Sequence, residues 1–270
     1  MVVQHNMQAV NTNRMLGQNV KAVKKATEKL SSGYAVNRAA DDAAGLSISE
    51  KMRNQIRGIN QAVKNSEDGV SLIQTAEGNM NEIHSILQRM GELATKAAND
   101  VNDTDDRQTI TDEITQLVTE IDSIASKAEF NGTKLLDGDF SGKQLQVGAK
   151  EGENMEITIA AMTASGLDVS SLDVTSHDAA SSAMTSITDA IKTVSGARSK
   201  LGAIQNRLGY TINNLENYSE NLTSAESQIR DTNMATEMTN YTKNNILQQA
   251  AQSMLAQANQ STQGVLSLLQ

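Results

Sequence analysis

Ile187-Thr-Asp-Ala-Ile-Lys-Thr-Val194-Ser-Gly-Ala-Arg-Ser-Lys-Leu201-Gly-Ala-Ile-Gln-Asn-Arg-Leu208-Gly-Tyr-Thr-Ile-Asn-Asn-Leu215-Glu-Asn-Tyr-Ser-Glu-Asn-Leu222-Thr-Ser-Ala-Glu-Ser-Gln-Ile229 carries a branched aliphatic residue at every seventh position. A strict seven-residue repeat keeps one stripe of a helix facing one partner, which is the pattern of coiled-coil packing. The spacing predicts a single helix over 179–233.

Upstream, the same reading extends to two more helices. Met52, Ile56, Ile59, Val63, Val70 and Ile73 recur at helical spacing, and Met80, Ile83, Leu87, Met90 and Ala94 continue the row after a phase shift near Ala76. These rows predict a helix over 46–98, with a length of roughly 80 Å at 1.5 Å per residue, too long for a small globule. Residues 99–106 are polar and turn-rich, with Thr104 or Asp103 placed to cap a third helix. Ile110, Ile114, Leu117, Ile121, Ile124 and Ala128 then keep heptad spacing, so this third helix is expected to fold back antiparallel. Only 130–176 reads differently. Leu145 and Val147, then Met155, Ile157 and Ile159, alternate on either side of a turn over 148–154, which predicts a β-hairpin.

The two ends are helical in period and nearly free of charge. Val3, Met7, Val10, Leu16, Val20, Val23 and Leu30 recur at one end, and Met234, Met238, Tyr241, Leu247, Ala250, Met254 and Ala258 at the other. After Glu237 the only charged side chain is Lys243, and before Lys21 the only one is Arg14. A solvated helix normally carries charge opposite its apolar stripe. These two helices are therefore expected to be covered by something. The fold class that results is mainly α: long helices, a small β-hairpin insert, then long helices.

Composition supports elongated helices. There is no Pro among 270 residues, where about 13 would be ordinary, and proline is the residue that interrupts helix interiors. Two Phe, four Tyr and no Trp leave few bulky anchors for a thick core. With no Cys a disulfide framework is impossible. A net charge of −9 without a broad basic face argues against nucleic acid as a partner. No apolar run is long enough for a membrane span, and 1–20 lacks the pattern of a cleaved secretory signal.

Candidate chemistry is sparse. His5, His84 and His177 are scattered, with no metal-ligand spacing and no Gly-rich phosphate loop or nucleophile elbow nearby. Asp41-Asp42 lies in a small, Ala-rich stretch where capping fits better than acid–base work. Lys21, Lys24, Lys25 and Lys29 form a short basic face, balanced only by Glu28. Neither catalytic, cofactor nor metal residues are expected.

Leu30-Ser-Ser-Gly-Tyr-Ala-Val-Asn-Arg-Ala-Ala-Asp-Asp-Ala-Ala-Gly-Leu-Ser-Ile-Ser49 is similar to the N-terminal signature of bacterial flagellins. Gln248-Gln-Ala-Ala-Gln-Ser-Met-Leu-Ala-Gln-Ala-Asn-Gln260 and Val265-Leu-Ser-Leu-Leu-Gln270 resemble the C-terminal one, and Phe130-Asn-Gly-Thr-Lys-Leu-Leu-Asp-Gly138 a third family stretch. Two stretches depart: Ala35-Val36-Asn37 replaces an Arg-Ile-Asn type triplet, and 228–235 lacks most of the usual acidic residues.

The resemblance implies an extracellular structural subunit that polymerises into the flagellar filament for motility, exported without a cleaved signal. Both chain ends would form a long antiparallel helical bundle or coiled coil: residues 1–45 and 230–270 would be inner-tube helices and linkers, and 46–229 an outer-tube rod in which 130–176 stands in place of variable outer domains. Val3, Met7, Val10, Met254, Leu255, Val265, Leu268 and Leu269 would carry polymerisation. The implied partners are further copies of the chain, the export apparatus and its chaperone, filament cap and junction proteins, and the host flagellin-sensing Toll-like receptor. For that receptor the family motif resembles Gln88, Arg89, Glu92 and Leu93, with Glu113 on the partner helix. Gly91 stands where strongly recognised relatives often carry Arg, so contact with a weakened outcome is expected. A hook–filament junction protein, a cytoplasmic coiled-coil signalling rod and an enzyme are the rival readings.

Overall fold

The computed structural model describes the backbone of residues 6–267 and the side chains of 6–261. Among these residues, five helices and four short strands run in order: α1 Met7–Ser32, α2 Ala43–Ala97, α3 Thr104–Lys127, β1 Glu129–Phe130, β2 Thr133–Lys134, β3 Lys143–Gln146, β4 Asn154–Ile157, α4 His177–Arg230 and α5 Met234–Ser267. The mainly helical class is as expected from the periodicities. The helix ends obey local chemistry. Asn6 accepts from Ala9 N at the start of α1, Asp42 from Gly45 N at the start of α2, and Asp103 from Thr104 N at the start of α3. Gly33, at φ 77°, closes α1 by donating to Lys29 O. The Asp41-Asp42 pair is thus capping and turn material.

The chain divides into two units, Met1–Ile56 with Glu220–Gln270, and Arg57–Ser219. The division falls at 56/57 and 219/220, inside α2 and α4.

Within Arg57–Ser219, three helical stripes and the β region meet in one core. Ile73, Met80, Ile83, Leu87 and Met90 of α2 are sealed against Ile110, Ile114 and Ile121 of α3 and Ile187, Val194, Leu201 and Leu208 of α4. Fully burying a side chain of this size contributes about 1.5–3 kcal/mol. The seven-residue row of α4 does not stay sealed along its length. Its first four members are at most 2% exposed, whereas Leu215, Leu222 and Ile229 are only half-buried. The core cluster ends at Leu208, beside Leu145 of the hairpin.

The hairpin forms as the alternation predicts. β3 pairs antiparallel with β4, Leu145 opposite Met155, and Met155, Ile157 and Ile159 face the core. A second hairpin, β1 with β2, turns on Asn131 and Gly132, at φ 50° and 75°. Two successive positive φ values make the tight primed turn that Asn-Gly favours. Its strands are too short for alternation to reveal.

Residues 158–176 form no strand or helix yet bury Met162, Ala164, Leu167, Val169 and Val174. Backbone bonds hold this segment down: Ile159 N to Phe140 O at 2.9 Å and Met162 N to Leu136 O at 2.8 Å. Ala164 N donates to Asp122 Oδ1 at 2.8 Å, so α3 also pins it.

Leu201→Ala is expected to cost about 2–5 kcal/mol by leaving a cavity in a sealed core, and Leu222→Ala less than about 1.5 kcal/mol because that side chain is already partly in water. Urea unfolding monitored by circular dichroism checks this. Equal losses would mean that the row packs uniformly.

Candidate assembly interface

α1 packs on α5. Asn6 Nδ2 donates to Ala258 O at 2.9 Å, while Tyr34 bridges to Asp231, so the two helices run antiparallel. Their buried and half-buried positions coincide only in part with the rows read from the sequence. On α1 they include Ala9, Thr12, Leu16, Asn19, Val23, Ala26 and Leu30; on α5, Glu237, Tyr241, Asn244, Gln248, Ala251, Leu255 and Ala258. Both sets alternate steps of three and four, the spacing of a coiled-coil seam. The seam is made largely of small and uncharged polar side chains, which lets the backbones approach while gaining little apolar burial.

The larger aliphatic side chains lie on the other side. Met7 is 71% exposed, Val10 62%, Ile246 60% and Met254 61%, with Met15, Val20, Met234, Met238 and Leu247 also exposed. Exposed apolar side chains on stretches with little charge opposite them, as in residues 7–20 and 238–261, are unusual for a solvated helix, and apolar patches of this kind mark interaction surfaces. Of the expected polymerisation residues, Met7, Val10 and Met254 are thus open, whereas Leu255 occupies the intrachain seam. Val3, Leu268 and Leu269 lie outside the described residues, and the side chain of Val265 does as well.

Where α1 gives way to α2 and α4 to α5, a clasp holds the two strands of chain together. Ala35 N donates to Arg230 O at 2.7 Å and Thr232 N to Gly33 O at 2.9 Å. The Arg230 guanidinium stands 4.7 Å over the Tyr34 ring, a cation–π arrangement. Ser49, fully buried, donates to Glu226 Oε1 at 2.9 Å, and Arg53 reaches the same oxygen at 3.8 Å. Lys25 of the basic face pairs with Asp41 at 2.8 Å, and Arg38 with Glu28 at 2.8 Å. The hydrogen bond from Lys25 holds the Asp41 carboxyl below its ordinary range, and the same bond holds the Lys25 ammonium above its own. Periodicity could not find this clasp; Tyr34, one of only four Tyr, was its one visible sign.

Gln88, Arg89, Glu92 and Glu113 are all exposed. Arg89 donates to Glu113 at 2.9 and 3.1 Å and to Glu92 at 3.1 Å, and these carboxylates, Glu113 foremost, hold its guanidinium protonated. Leu93 does not join them. It is 3% exposed and packs in the core, because its position on α2 points toward the bundle interior. Gly91 is half-buried, and a Cβ there would stand 3.7 Å from Ile187 of α4.

His84 bonds Gln88 at 3.1 Å, and His177 Nδ1 meets Ala98 O at 2.7 Å, where α4 begins near the end of α2. Among the described residues no group of His, Cys, Asp and Glu could hold a metal ion, and no helix is long and apolar enough to cross a membrane. A surface groove of about 370 Å³ between α4 and the segment after β4 is lined mainly by apolar atoms, with Lys192 and Lys200. Lys192 pairs with Asp189 at 2.9 Å, and the groove lining contains no carboxylate or imidazole.

Long helices closed over a lean seam, with aliphatic side chains turned outward and few charges around them, define a self-assembling structural protein. Residues 3–141 match the bacterial flagellin N-terminal helical region, and 184–269 match the C-terminal helical region. The flagellin of Halalkalibacterium halodurans is 53% identical over 271 residues, covering 100% of both chains. That of Bacillus subtilis is 49% identical over 303 residues, again covering 100% of both. A crystal structure of Bacillus cereus flagellin is 30% identical, with a TM-score of 0.50, covering 56% of this chain and 88% of that one. The chain belongs to the bacterial flagellins: it is a non-enzymatic subunit of the extracellular flagellar filament that serves motility.

The shifts at Lys25 and Asp41 give the clasp a pH window. Asp41, lowered in the fold, contributes stability above the unfolded carboxylate value of about 3.9, and this is lost as pH falls through its folded value. Lys25, raised, contributes stability below about 10.4, which is lost as pH rises through its folded value. A carbon-detected NMR titration is expected to place the Asp41 midpoint below the ordinary value, and Lys25→Met to return it upward. A midpoint at or above the ordinary value in the native chain would show that the pair does not form.

Proposed function

We propose that the chain polymerises through the outward aliphatic side chains of α1 and α5, with Met7, Val10 and Met254 among those that neighbouring subunits cover. The observation that carries this is their exposure beside a seam of small and polar residues. Burial returns roughly 25 cal/mol for each Å² of apolar surface removed from water. The amide and hydroxyl groups interspersed with them can bond across subunits without the desolvation penalty of ions. Contacts that repeat head to tail without closing into a ring give an open helical filament. In this reading 1–45 and 230–270 line the inner tube, and 46–229 form the outer rod. The export apparatus and its chaperone, and the filament cap and junction proteins, are then partners of the same terminal helices.

A second role is a host-receptor contact on the rod. Support comes from the side-by-side exposure of Gln88, Arg89, Glu92 and Glu113, which the two ion pairs of Arg89 hold in one patch. Exposed pairs of this kind contribute little to stability, so they can exchange for a partner's groups at small cost. Leu93 supports this face from beneath.

Seeded elongation separates the two surfaces. Val10→Glu and Met254→Glu are expected to reduce growth from sheared filament seeds at least about tenfold, since each would bury an unpaired charge. Arg89→Ala should elongate as the native chain does while losing affinity for the receptor ectodomain. Normal elongation by both Glu variants would remove these helices' outer faces from the interface, and unchanged receptor affinity would remove Arg89 from the patch.

A further inference from the structure

Of the twelve methionines, Met1 lies outside the described residues and Met52 and Met184 are half-buried, while the other nine divide by place. Met80, Met90 and Met162 are 0% exposed and Met155 is 6% exposed, all within the core of Arg57–Ser219. Met7, Met15, Met234, Met238 and Met254 are between 48% and 71% exposed, and all five lie on α1 and α5. The most accessible thioethers therefore sit on the helices assigned to assembly.

We propose that these five methionines are a peroxide-sensitive modification site that controls whether a subunit can be incorporated. The inference rests on the assembly role of α1 and α5 proposed above. A thioether sulfur attacks one oxygen of hydrogen peroxide, the O–O bond breaks, and a sulfur–oxygen bond forms. The proton passes to the departing hydroxide, so that water leaves. Sulfur is oxidised by two electrons and the peroxide reduced by two. The product, a sulfoxide, converts a flexible apolar side chain into a polar one. On α1 and α5 it would have to be buried on polymerisation among aliphatic groups, and a buried acceptor without a donor is unfavourable.

The consequence is asymmetric in time. Before assembly all five sulfurs face water, and oxidation of any one opposes incorporation. After assembly, neighbouring subunits cover them and peroxide no longer reaches them. Helix propensity does not require methionine here, since leucine is at least as favourable in a helix. Because methionine sulfoxide is reducible enzymatically, one enzyme for each epimer, the block is reversible.

The test exposes monomers and seed-grown filaments to the same hydrogen peroxide, maps sulfoxide at each methionine by peptide mass spectrometry, and measures seeded elongation. In monomers the five are expected to oxidise at least about tenfold faster than Met80, Met90, Met155 and Met162, in line with their accessibility, and in filaments they should be protected. Oxidised monomer should elongate at least about tenfold more slowly and recover after treatment with both sulfoxide reductases. A variant carrying M7L, M15L, M234L, M238L and M254L should elongate equally with and without peroxide. Should that variant fail to elongate at all, rescue of the native chain by the reductases decides the matter. Native monomer that elongates normally when oxidised, or a leucine variant that loses as much to peroxide as the native chain, would overturn the proposal. Failure of untreated native chain to elongate would overturn the assembly reading itself, and the site map from monomers would then stand as chemistry alone.

Discussion

The constraint on which the rest depends is the economy of the α1–α5 seam. Two helices of 26 and 34 residues meet over positions such as Ala9, Thr12, Asn19, Ala26, Asn244, Gln248, Ala251 and Ala258. A seam of that composition brings the helices close and fixes their antiparallel register, but it buries little apolar surface. Met7, Val10, Ile246 and Met254 remain in water. Charged side chains, which would reconcile such a helix with solvent, are almost absent from the last thirty residues and the first twenty. The favourable term that the monomer leaves unrealised is the one that the proposed assembly contacts would supply.

The unit Arg57–Ser219 is built on the opposite principle. Its stripes of Ile, Leu and Met are sealed within one chain, and both hairpins and the irregular segment 158–176 are fastened to the same core. A subunit that completes this part of its core within one chain can fold it before it assembles. The clasp of Tyr34, Arg230, Ser49 and Glu226 lies where the terminal helices α1 and α5 join the rest of the chain. Its backbone bonds tie the two strands of chain together on either side of Tyr34, so the ends of α1 and α5 are placed by local contacts.

Legibility tracked the contrast between residue types. The row from Ile187 to Ile229 predicted α4 because each member differs plainly from its neighbours in hydropathy, and the rows of α2 and α3 did so for the same reason. That the row is sealed only as far as Leu208 was not visible, because spacing does not say what packs on a stripe. At the chain ends the large aliphatics stand out, yet Met7, Val10, Ile246 and Met254 among them are exposed; the true seam alternates Ala, Thr, Asn and Gln with Leu and Val and carries little contrast. Leu255, an aliphatic like the outward set, belongs to that seam. Leu93 shares a sequence motif with an exposed patch, although its α2 position places it in the core beside Ala94. The hairpin that turns on Asn131-Gly132 went unread, because strands of two residues leave no alternation around it. The burial of Met162, Leu167 and Val174 depends on backbone bonds to distant residues, which no local rule contains.

A high-resolution cryo-electron microscopy reconstruction of the filament tests the central claim most directly. The account predicts that Met7, Val10, Ile246 and Met254 are each covered by a neighbouring subunit, while Ala9, Thr12, Leu16 and Asn19 still face α5 of their own chain. Outward side chains left bare to the filament's channel or to solvent, with subunits joined through the rod alone, would contradict it.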